Sequence, residues 1–253
     1  MKLNVDYNEI ASAYNLRYKE NRLKGIQRSL EKIITENNYK TILEVGCGTG
    51  HWLNELVDEG RIFFGCDLSF GMLKEAAETN NSNSLFCCSA NSLPLKNQSF
   101  DFIYCVNALH FFEDKTKFIN TIINNLKSGG TFAVVSVDPR FSWDHWYIYD
   151  YFEDRYENDL LRFISWEDLK KLFITSGFKN IKFEIVERID KKLQGTDVFN
   201  DYFLDKKSSS QLAALSEKEY VTGIHKIKET IKNNPNNIFT SKISFAITAG
   251  KNI

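Results

Sequence analysis

One short stretch constrains the fold of this chain more than any other, because an apolar segment leads directly into three glycines at alternate positions. Residues 42–50 read ILEVGCGTG, and residues 49–58 have the pattern of an amphipathic helix. Glycine permits a positive φ in a tight turn and has no Cβ to keep a ligand away from the backbone. The first turn of a helix presents free N–H groups and a partial positive charge. The stretch therefore predicts a strand, a turn and a helix that hold a nucleotide-like ligand.

Short apolar strands and helical patterns alternate along most of the chain. Strands are predicted at residues 41–45, 62–66, 84–88, 100–106, 131–137, 178–186 and 239–249. Helices are predicted at residues 7–36, 49–58, 69–79, 115–126, 165–175 and over most of 196–233. Continuously apolar strands that alternate with helices are typical of an α/β fold with a doubly wound parallel sheet. We expect a mostly parallel sheet of seven strands with an antiparallel last strand.

The composition argues against several classes of protein. The 253 residues carry a formal net charge of −1, which is not the basic footprint of a nucleic-acid-binding protein. The first residues are too polar for a signal peptide, and no apolar run reaches the ~18 residues that a membrane span needs. The five cysteines show no Cys-x-x-Cys or Cys/His spacing. We expect one cytoplasmic domain over residues 1–253, with no metal, no membrane contact and no nucleic-acid partner.

The second predicted strand ends in an acidic residue, Asp67, seventeen residues after Gly50. A carboxylate at this place accepts hydrogen bonds from both hydroxyls of a ribose. The glycine turn and Asp67 together indicate an adenosine-type ligand at the switch point of the sheet. The alternative is structural: the glycines form an ordinary turn and Asp67 is a turn or N-cap residue.

Five segments, in order, resemble the motifs of class I S-adenosylmethionine-dependent methyltransferases of the small-molecule, methyltransferase-11-like kind. They are residues 44–50 (EVGCGTG), 66–73 (CDLSFGML), 92–101 (SLPLKNQSFD), 106–111 (VNALHF) and 126–130 (LKSGG). The resemblance implies a Rossmann-like fold, S-adenosyl-L-methionine as cofactor, S-adenosyl-L-homocysteine as product, and no metal. It does not imply the acceptor of the methyl group.

The resemblance also implies roles for residues at the methionine and ribose end of the cofactor. Glu44 would hold the methionine amino group. Gly46, Cys47 and Gly48 would pass their backbone beside the methionine and ribose. Asp67 would accept the ribose hydroxyls.

A second set of residues corresponds to the adenine end. Leu68 and Met72 would pack on adenine, and Ser89, Ala90 and Asn91 would line its far side. Many relatives have Asp where this chain has Ser89, so an uncharged hydroxyl replaces the acceptor for the adenine amino group. Asn91 is a substitute acceptor.

The remaining candidates lie near the methyl group. Asn107 would lie beside the methionine, and Tyr14 would close over the cofactor or else pack in the core. His110 follows the fourth strand at the edge where ligands bind, so it is the candidate catalytic base, with a structural role as the alternative. His51 and His225 are expected at the surface, and His145 is a weaker candidate base.

Two insertions are candidates for the acceptor site. Eight aromatic residues fall between Phe141 and Tyr156, directly after the fifth strand. Stacking and cation–π contacts suit a flat, apolar or cationic acceptor. We expect residues 139–165 and 196–233 to form a lid over a hydrophobic pocket with few charges, beside an N-terminal helical segment (1–36) and a cofactor-binding core (40–137). Packing of the aromatic stripe onto the core is the alternative.

The favoured function is methyl transfer to a small apolar or aromatic metabolite. Alternatives are a methyltransferase that acts on protein or RNA, and a non-catalytic module that binds S-adenosylmethionine. A nicotinamide-dependent reductase is disfavoured by the glycine spacing and by the LPL and LKSGG segments. The sequence leaves the acceptor atom and the oligomeric state open.

Overall fold

The computed structural model describes residues 7–15, 18, 22–56, 58–79 and 84–253. Its strands are β1 (Thr41–Val45), β2 (Ile62–Asp67), β3 (Ser84–Cys87), β4 (Phe100–Val106), β5 (Leu126–Ser136), β6 (His145–Trp146), β7 (Lys179–Gln194) and β8 (Ile238–Lys251). Its α-helices are α1 (Tyr7–Tyr14), α2 (Lys24–Glu36), α3 (His51–Leu56), α4 (Phe70–Thr79), α5 (Lys115–Asn125), α6 (Ile148–Tyr151), α7 (Arg155–Arg162), α8 (Trp166–Thr175), α9 (Ser210–Ala213) and α10 (Glu217–Asn233). Short 3₁₀ helices span Leu109–Phe111, Gly195–Asn200 and Tyr202–Leu204.

The strands form one sheet in the order β3-β2-β1-β4-β5-β8, with β7 on the outer side of β8. The first five strands are parallel, and β8 runs antiparallel to both β5 and β7. The predicted α/β class and the mostly parallel sheet with an antiparallel last strand are confirmed. The two-residue strand β6, which also pairs with β8, adds an eighth strand to the seven predicted.

The central strands are mostly apolar because both faces of the sheet are covered. In β1, Ile42 packs with Phe102 in one core cluster, and Leu43 packs with Ile103 in a second. All four side chains are fully buried. Two buried faces remove the alternation of apolar and polar residues that a half-exposed strand shows.

Two predicted helices are shorter than the sequence pattern indicates. The pattern over residues 7–36 divides into α1 and α2, and Leu23, just before α2, has a φ of 45°. Residues 15–23 contain neither glycine nor proline to mark the break. Within 196–233 only α10 is a long helix, and it begins at a capping box formed by Ser216 and Glu219. The preceding residues form 3₁₀ turns and the four-residue helix α9.

The two insertions share a small hydrophobic core of their own. Trp146, Tyr147 and Phe152 of the aromatic segment are buried against Val198 and Leu212 of the second insertion. Much of the aromatic stripe therefore packs inside the protein, which was the alternative to a lid. Within the described part of the chain, no helix has the length and apolar character to cross a membrane.

Candidate active site

A cavity of about 1020 Å³ lies where β1, β2 and β4 end. The structure brings all thirteen site residues predicted from the sequence to its wall: Tyr14, Glu44, Gly46, Cys47, Gly48, Asp67, Leu68, Met72, Ser89, Ala90, Asn91, Asn107 and His110. The carboxyl ends of parallel strands at a switch point are where α/β sheets bind ligands.

The glycine turn requires glycine at two positions for different reasons. Gly46 has a φ of +74°, and a Cβ there would lie 2.5 Å from the Cβ of Ala108. Gly48 has a φ of +54°, and a Cβ there would meet nothing within 4 Å. Gly46 is therefore needed for packing, whereas Gly48 leaves open space beside the cavity.

Asp67 is fixed at the end of β2 by two backbone donors. Its Oδ2 accepts from the Gly48 N–H at 2.8 Å, and its Oδ1 accepts from the Ser69 N–H at 2.9 Å. Burial raises the pKa of Asp67 above its ordinary value, although these N–H groups oppose the shift. An ionised carboxylate has about four acceptor sites, so two bonds leave capacity for ligand hydroxyls. Asp67 thus has the structural role of a turn residue and is also available to a ribose.

Glu44 presents a carboxylate on the cavity wall that is only 1% exposed. The Tyr104 hydroxyl donates to its Oε2 at 3.2 Å. No cation among the described residues forms an ion pair with it. Burial, and to a lesser extent the nearby Asp67, raise the pKa of Glu44 well above its usual range. A buried carboxylate without a countercharge is costly, and a ligand ammonium group would relieve that cost.

We expect Glu44→Gln to stabilise the ligand-free protein at alkaline pH. The pKa of Glu44 is raised in the folded state. Its contribution to the free energy of unfolding is therefore fully present below the unfolded pKa of about 4.3 and is lost as the pH rises through the folded pKa. Glutamine still accepts from Tyr104 but never ionises. At about pH 8 the variant should gain about 1–3 kcal/mol in free energy of unfolding, measured by urea denaturation.

The matched control is Glu78→Gln, at an exposed position on α4. This variant should keep the pH dependence of the wild type. An unchanged pH dependence in Glu44→Gln as well would show that Glu44 does not impose the expected cost.

Ser89 and Asn91, the residues expected at the adenine end, line one part of the cavity. The Ser89 hydroxyl accepts from the Asn91 N–H at 3.2 Å. The Asn91 Oδ1 is buried and has no hydrogen-bond partner among the described residues. It is therefore available to accept from an adenine amino group. Met72 is 2% exposed and packs on α1, whereas Leu68 is 73% exposed, so their contact with adenine stays a prediction.

A second cavity of about 530 Å³ adjoins the first. Tyr14, Asn107, His110 and Phe111 line both cavities. Asn107, at a φ of 49°, has a buried Oδ1 without a partner in the described part of the chain. The ring of His110 stacks on Phe163 at 4.1 Å between centroids. His110 thus lies at the boundary between the cavities, where a cofactor and an acceptor would meet.

The second cavity has more charged residues than the pocket expected from the sequence. The second cavity is lined by aromatic side chains, Phe141 and Tyr149 among them, and also by the charged or titratable residues Arg140, Asp144, His145, Asp150, Glu157 and Lys242. His145 lies 3.1 Å from Asp150, both more than half exposed. The second cavity is therefore mixed in character, because only part of the aromatic stripe faces it.

Sequence reasoning missed several residues of the first cavity. His51, expected at the surface, stacks on Tyr18 at 3.7 Å and lines the cavity. Arg155 and Arg162 on α7 also line it, although α7 was not predicted. The pattern RYENDLLR is amphipathic, which would have indicated the helix but not the cavity it faces. His225 is exposed, as expected.

Part of this chain is similar to known methyltransferases. Residues 43–134 match a family model described as a methyltransferase domain. The chain is 28% identical over 127 residues to a tRNA (carboxymethyluridine(34)-5-O)-methyltransferase of Saccharomyces cerevisiae, covering 49% of this chain and 43% of that protein. It is 33% identical over 96 residues to a malonyl-[acyl-carrier protein] O-methyltransferase of Acetivibrio thermocellus, covering 36% and 34%. The chain thus spans less than half the length of both relatives.

The fold has a counterpart of known structure. Phosphoethanolamine N-methyltransferase 2 of Haemonchus contortus, in complex with S-adenosyl-L-methionine, superposes with a TM-score of 0.53 at 19% identity, covering 84% of this chain and 48% of that chain. The fold, the matched domain and the cavity are consistent with a class I methyltransferase. The domain match and the named relatives support S-adenosylmethionine-dependent methyltransferase activity.

The residues present fit this cofactor. Asp67 has acceptor capacity left for the ribose hydroxyls. Glu44 has no countercharge among the described residues. Asn91 and Asn107 each have a buried amide oxygen without a hydrogen-bond partner in the same part of the chain. Within the described part of the chain, no group of three or more His, Cys, Asp or Glu side chains has the arrangement of a metal site.

Proposed function

We propose that this protein transfers the methyl group of S-adenosylmethionine to a small molecule that enters the second cavity. The observation that carries the proposal is the shared wall: a cavity with the features of a cofactor site adjoins a separate one, and His110 lines both. The roles assigned to the thirteen site residues are part of this proposal. So is the division into an N-terminal helical segment, a cofactor-binding core at 40–137 and insertions that cover the acceptor.

When bound, the cofactor supplies a methyl group on a sulfonium, which is already an excellent leaving group. The protein therefore has to align the acceptor and exclude water. Asp67 and Glu44 hold the two polar ends of the cofactor's methionine and ribose portion. Tyr14 and Phe111 cover the place where the cavities join. His110 orients the acceptor or takes a proton from its attacking atom.

Two observations favour a small acceptor over protein or RNA. The acceptor cavity is about 530 Å³, the size of a small-ligand pocket. The formal net charge is −1, whereas RNA-binding domains usually carry a net positive charge. The named relatives act on tRNA as well as on a carrier-bound malonyl group, so names alone do not decide the substrate. Three buried cysteine thiols favour a reducing, cytoplasmic compartment.

Label transfer tests the proposal. The purified protein is incubated with methyl-labelled S-adenosylmethionine and a size-fractionated cell extract. We expect label in a low-mass, organic-extractable fraction. His110→Ala should transfer label about 10²-fold or more slowly if His110 is a general base, with cofactor affinity unchanged. His225→Ala, at an exposed position on α10, is the matched control and should match the wild type.

The alternatives have distinct outcomes in the same experiment. Label only in protein or RNA would replace the small-molecule proposal with a macromolecular substrate. Cofactor binding without transfer to any fraction would favour a non-catalytic binding module. Full activity of His110→Ala would leave His110 with a structural role only.

A further inference from the structure

One arginine of the cofactor cavity has a donor that the fold leaves unused. Arg162, in the last turn of α7, has a side chain that is only 9% exposed. Its Nε donates to Asp159 Oδ1 at 2.7 Å, and its Nη2 donates to Ser210 Oγ at 3.1 Å. Its Nη1 is buried and has no hydrogen-bond partner among the described residues. A buried, charged donor without an acceptor destabilises the folded protein, and a ligand that accepts a hydrogen bond from Nη1 would remove this cost.

Arg162 lies close to the boundary between the two cavities. Its guanidinium carbon is 4.9 Å from the ring centre of Phe163 and 5.9 Å from that of Phe111. The same Phe163 ring stacks on His110. Arg162 is therefore separated from the candidate base by one aromatic ring. Its partner Ser210 lines the second cavity, while Arg162 itself lines the first.

The carboxylate paired with Arg162 also accepts hydrogen bonds from two other donors. Asp159 is 2% exposed, and its Oδ2 accepts from the Tyr149 hydroxyl at 2.7 Å and from Gln211 Nε2 at 2.8 Å. These bonds hold Asp159 and the edge of Arg162 in place. They fix the orientation of Arg162, and none of them involves its Nη1.

A second buried arginine gives the buried face of α7 an excess of positive charge. Arg155, 9% exposed, donates to the backbone carbonyls of Glu153 and Gln211 at 3.0 and 3.4 Å. Glu219, which interacts with Arg155 electrostatically, is exposed and bonded to Ser216 in the capping box. The buried charged groups of α7 are therefore two guanidinium groups, Arg155 and Arg162, and one carboxylate, Asp159. A single negative charge from a ligand would balance them.

We propose that the acceptor molecule carries a carboxylate and that Arg162 binds it through Nη1, with Arg155 adding favourable charge. The inference rests on the proposed function and names the acceptor class for that site. A monoanion matches both the excess charge of α7 and the unpartnered Nη1 of Arg162, since Nε and Nη2 each already have an acceptor. Charge-assisted bonds of this kind are roughly twice as strong as neutral ones. The methionine carboxylate of the cofactor has the same chemistry and is the other source that the test must separate.

The test uses matched pairs of probes on the protein saturated with S-adenosylhomocysteine. Acetate, benzoate and phenylacetate are each compared with the corresponding neutral amide by calorimetric titration. We expect at least one acid to bind about tenfold or more tightly than its amide. Arg162→Gln should reduce that ratio to about one while the affinity for S-adenosylhomocysteine stays unchanged.

Two further variants keep the test interpretable. Arg162→Gln leaves the buried Asp159 without its cation, which is destabilising, so Asp159→Asn combined with Arg162→Gln removes both charges together. The double variant should also lose the preference for acids. Arg28→Gln, at an exposed position on α2 away from both cavities, should retain it.

Each other result overturns the inference. If the wild type binds no acid more tightly than the corresponding amide, the proposal that the acceptor carries a carboxylate is wrong. This holds whether both members of a pair bind or neither does. If Arg162→Gln weakens S-adenosylhomocysteine binding and leaves the acid preference intact, Arg162 holds the cofactor's own carboxylate. If the wild type does not bind S-adenosylhomocysteine, the proposed function itself fails, and this is measured before any acid is added.

Discussion

Asp67→Ala is expected to raise the Kd for S-adenosylmethionine by about 5- to 150-fold, which corresponds to about 1–3 kcal/mol. The physical reason is the loss of charge-assisted hydrogen bonds from the two ribose hydroxyls. Alanine also leaves the Gly48 and Ser69 N–H groups without the acceptor that now fixes the glycine turn. Asp67→Asn keeps one oxygen acceptor, so its Kd should lie between those of the wild type and the alanine variant.

Because Asp67 also supports the fold, affinity and stability have to be measured separately. Asp101→Ala is the matched control: Asp101 accepts from the Lys40 and Thr41 N–H groups at 3.0 and 2.8 Å, at the opposite end of β1. Its loss should lower the free energy of unfolding by about 1–3 kcal/mol and leave the Kd unchanged. Titration calorimetry on the folded fraction gives the Kd. A folded Asp67→Ala protein with wild-type affinity would contradict the ribose assignment.

The sequence was informative wherever short-range physics decides the structure. The bounds predicted for β1 and β4 agree with the observed Thr41–Val45 and Phe100–Val106. Both strands are mostly apolar and are buried on two faces, and Gly46 and Asn107 follow them directly. The glycine turn and Asp67 are adjacent because they follow and end two neighbouring parallel strands, β1 and β2.

What the sequence could not supply depends on contacts between distant segments. Arg162 meets Ser210, which is 48 residues further along the chain. The unpartnered Nη1 of Arg162 can be identified only from the folded structure, in which the two insertions pack together. The break before α2 has a similar origin: the Gly25 N–H donates to Glu187, which is 162 residues away on β7. Such tertiary contacts override helical periodicity, which reports only neighbours one turn apart.

The second large effect is expected at the glycine turn, where Gly48→Ala should raise the Kd for S-adenosylmethionine by about 10- to 100-fold. The protein has room for the added methyl group, because nothing lies within 4 Å of it. That open space lies beside the cofactor cavity, so the methyl group would occupy volume needed for close approach of the ligand to the backbone. The variant should remain folded, with a loss of about 1–2 kcal/mol from alanine at a φ of +54°.

Gly60→Ala separates this steric effect from backbone strain. Gly60 has a φ of +85°, and an added Cβ there also meets nothing within 4 Å, but it lies in an exposed turn away from the cavity. The two variants should therefore lose similar free energy of unfolding, and only Gly48→Ala should lose cofactor affinity. Gly46→Ala should behave differently from both, since its Cβ collides with Ala108 and destabilises the fold. Equal Kd values for Gly48→Ala and Gly60→Ala would mean that the cofactor does not approach the backbone at Gly48, and that glycine serves there only to allow the positive φ of the turn.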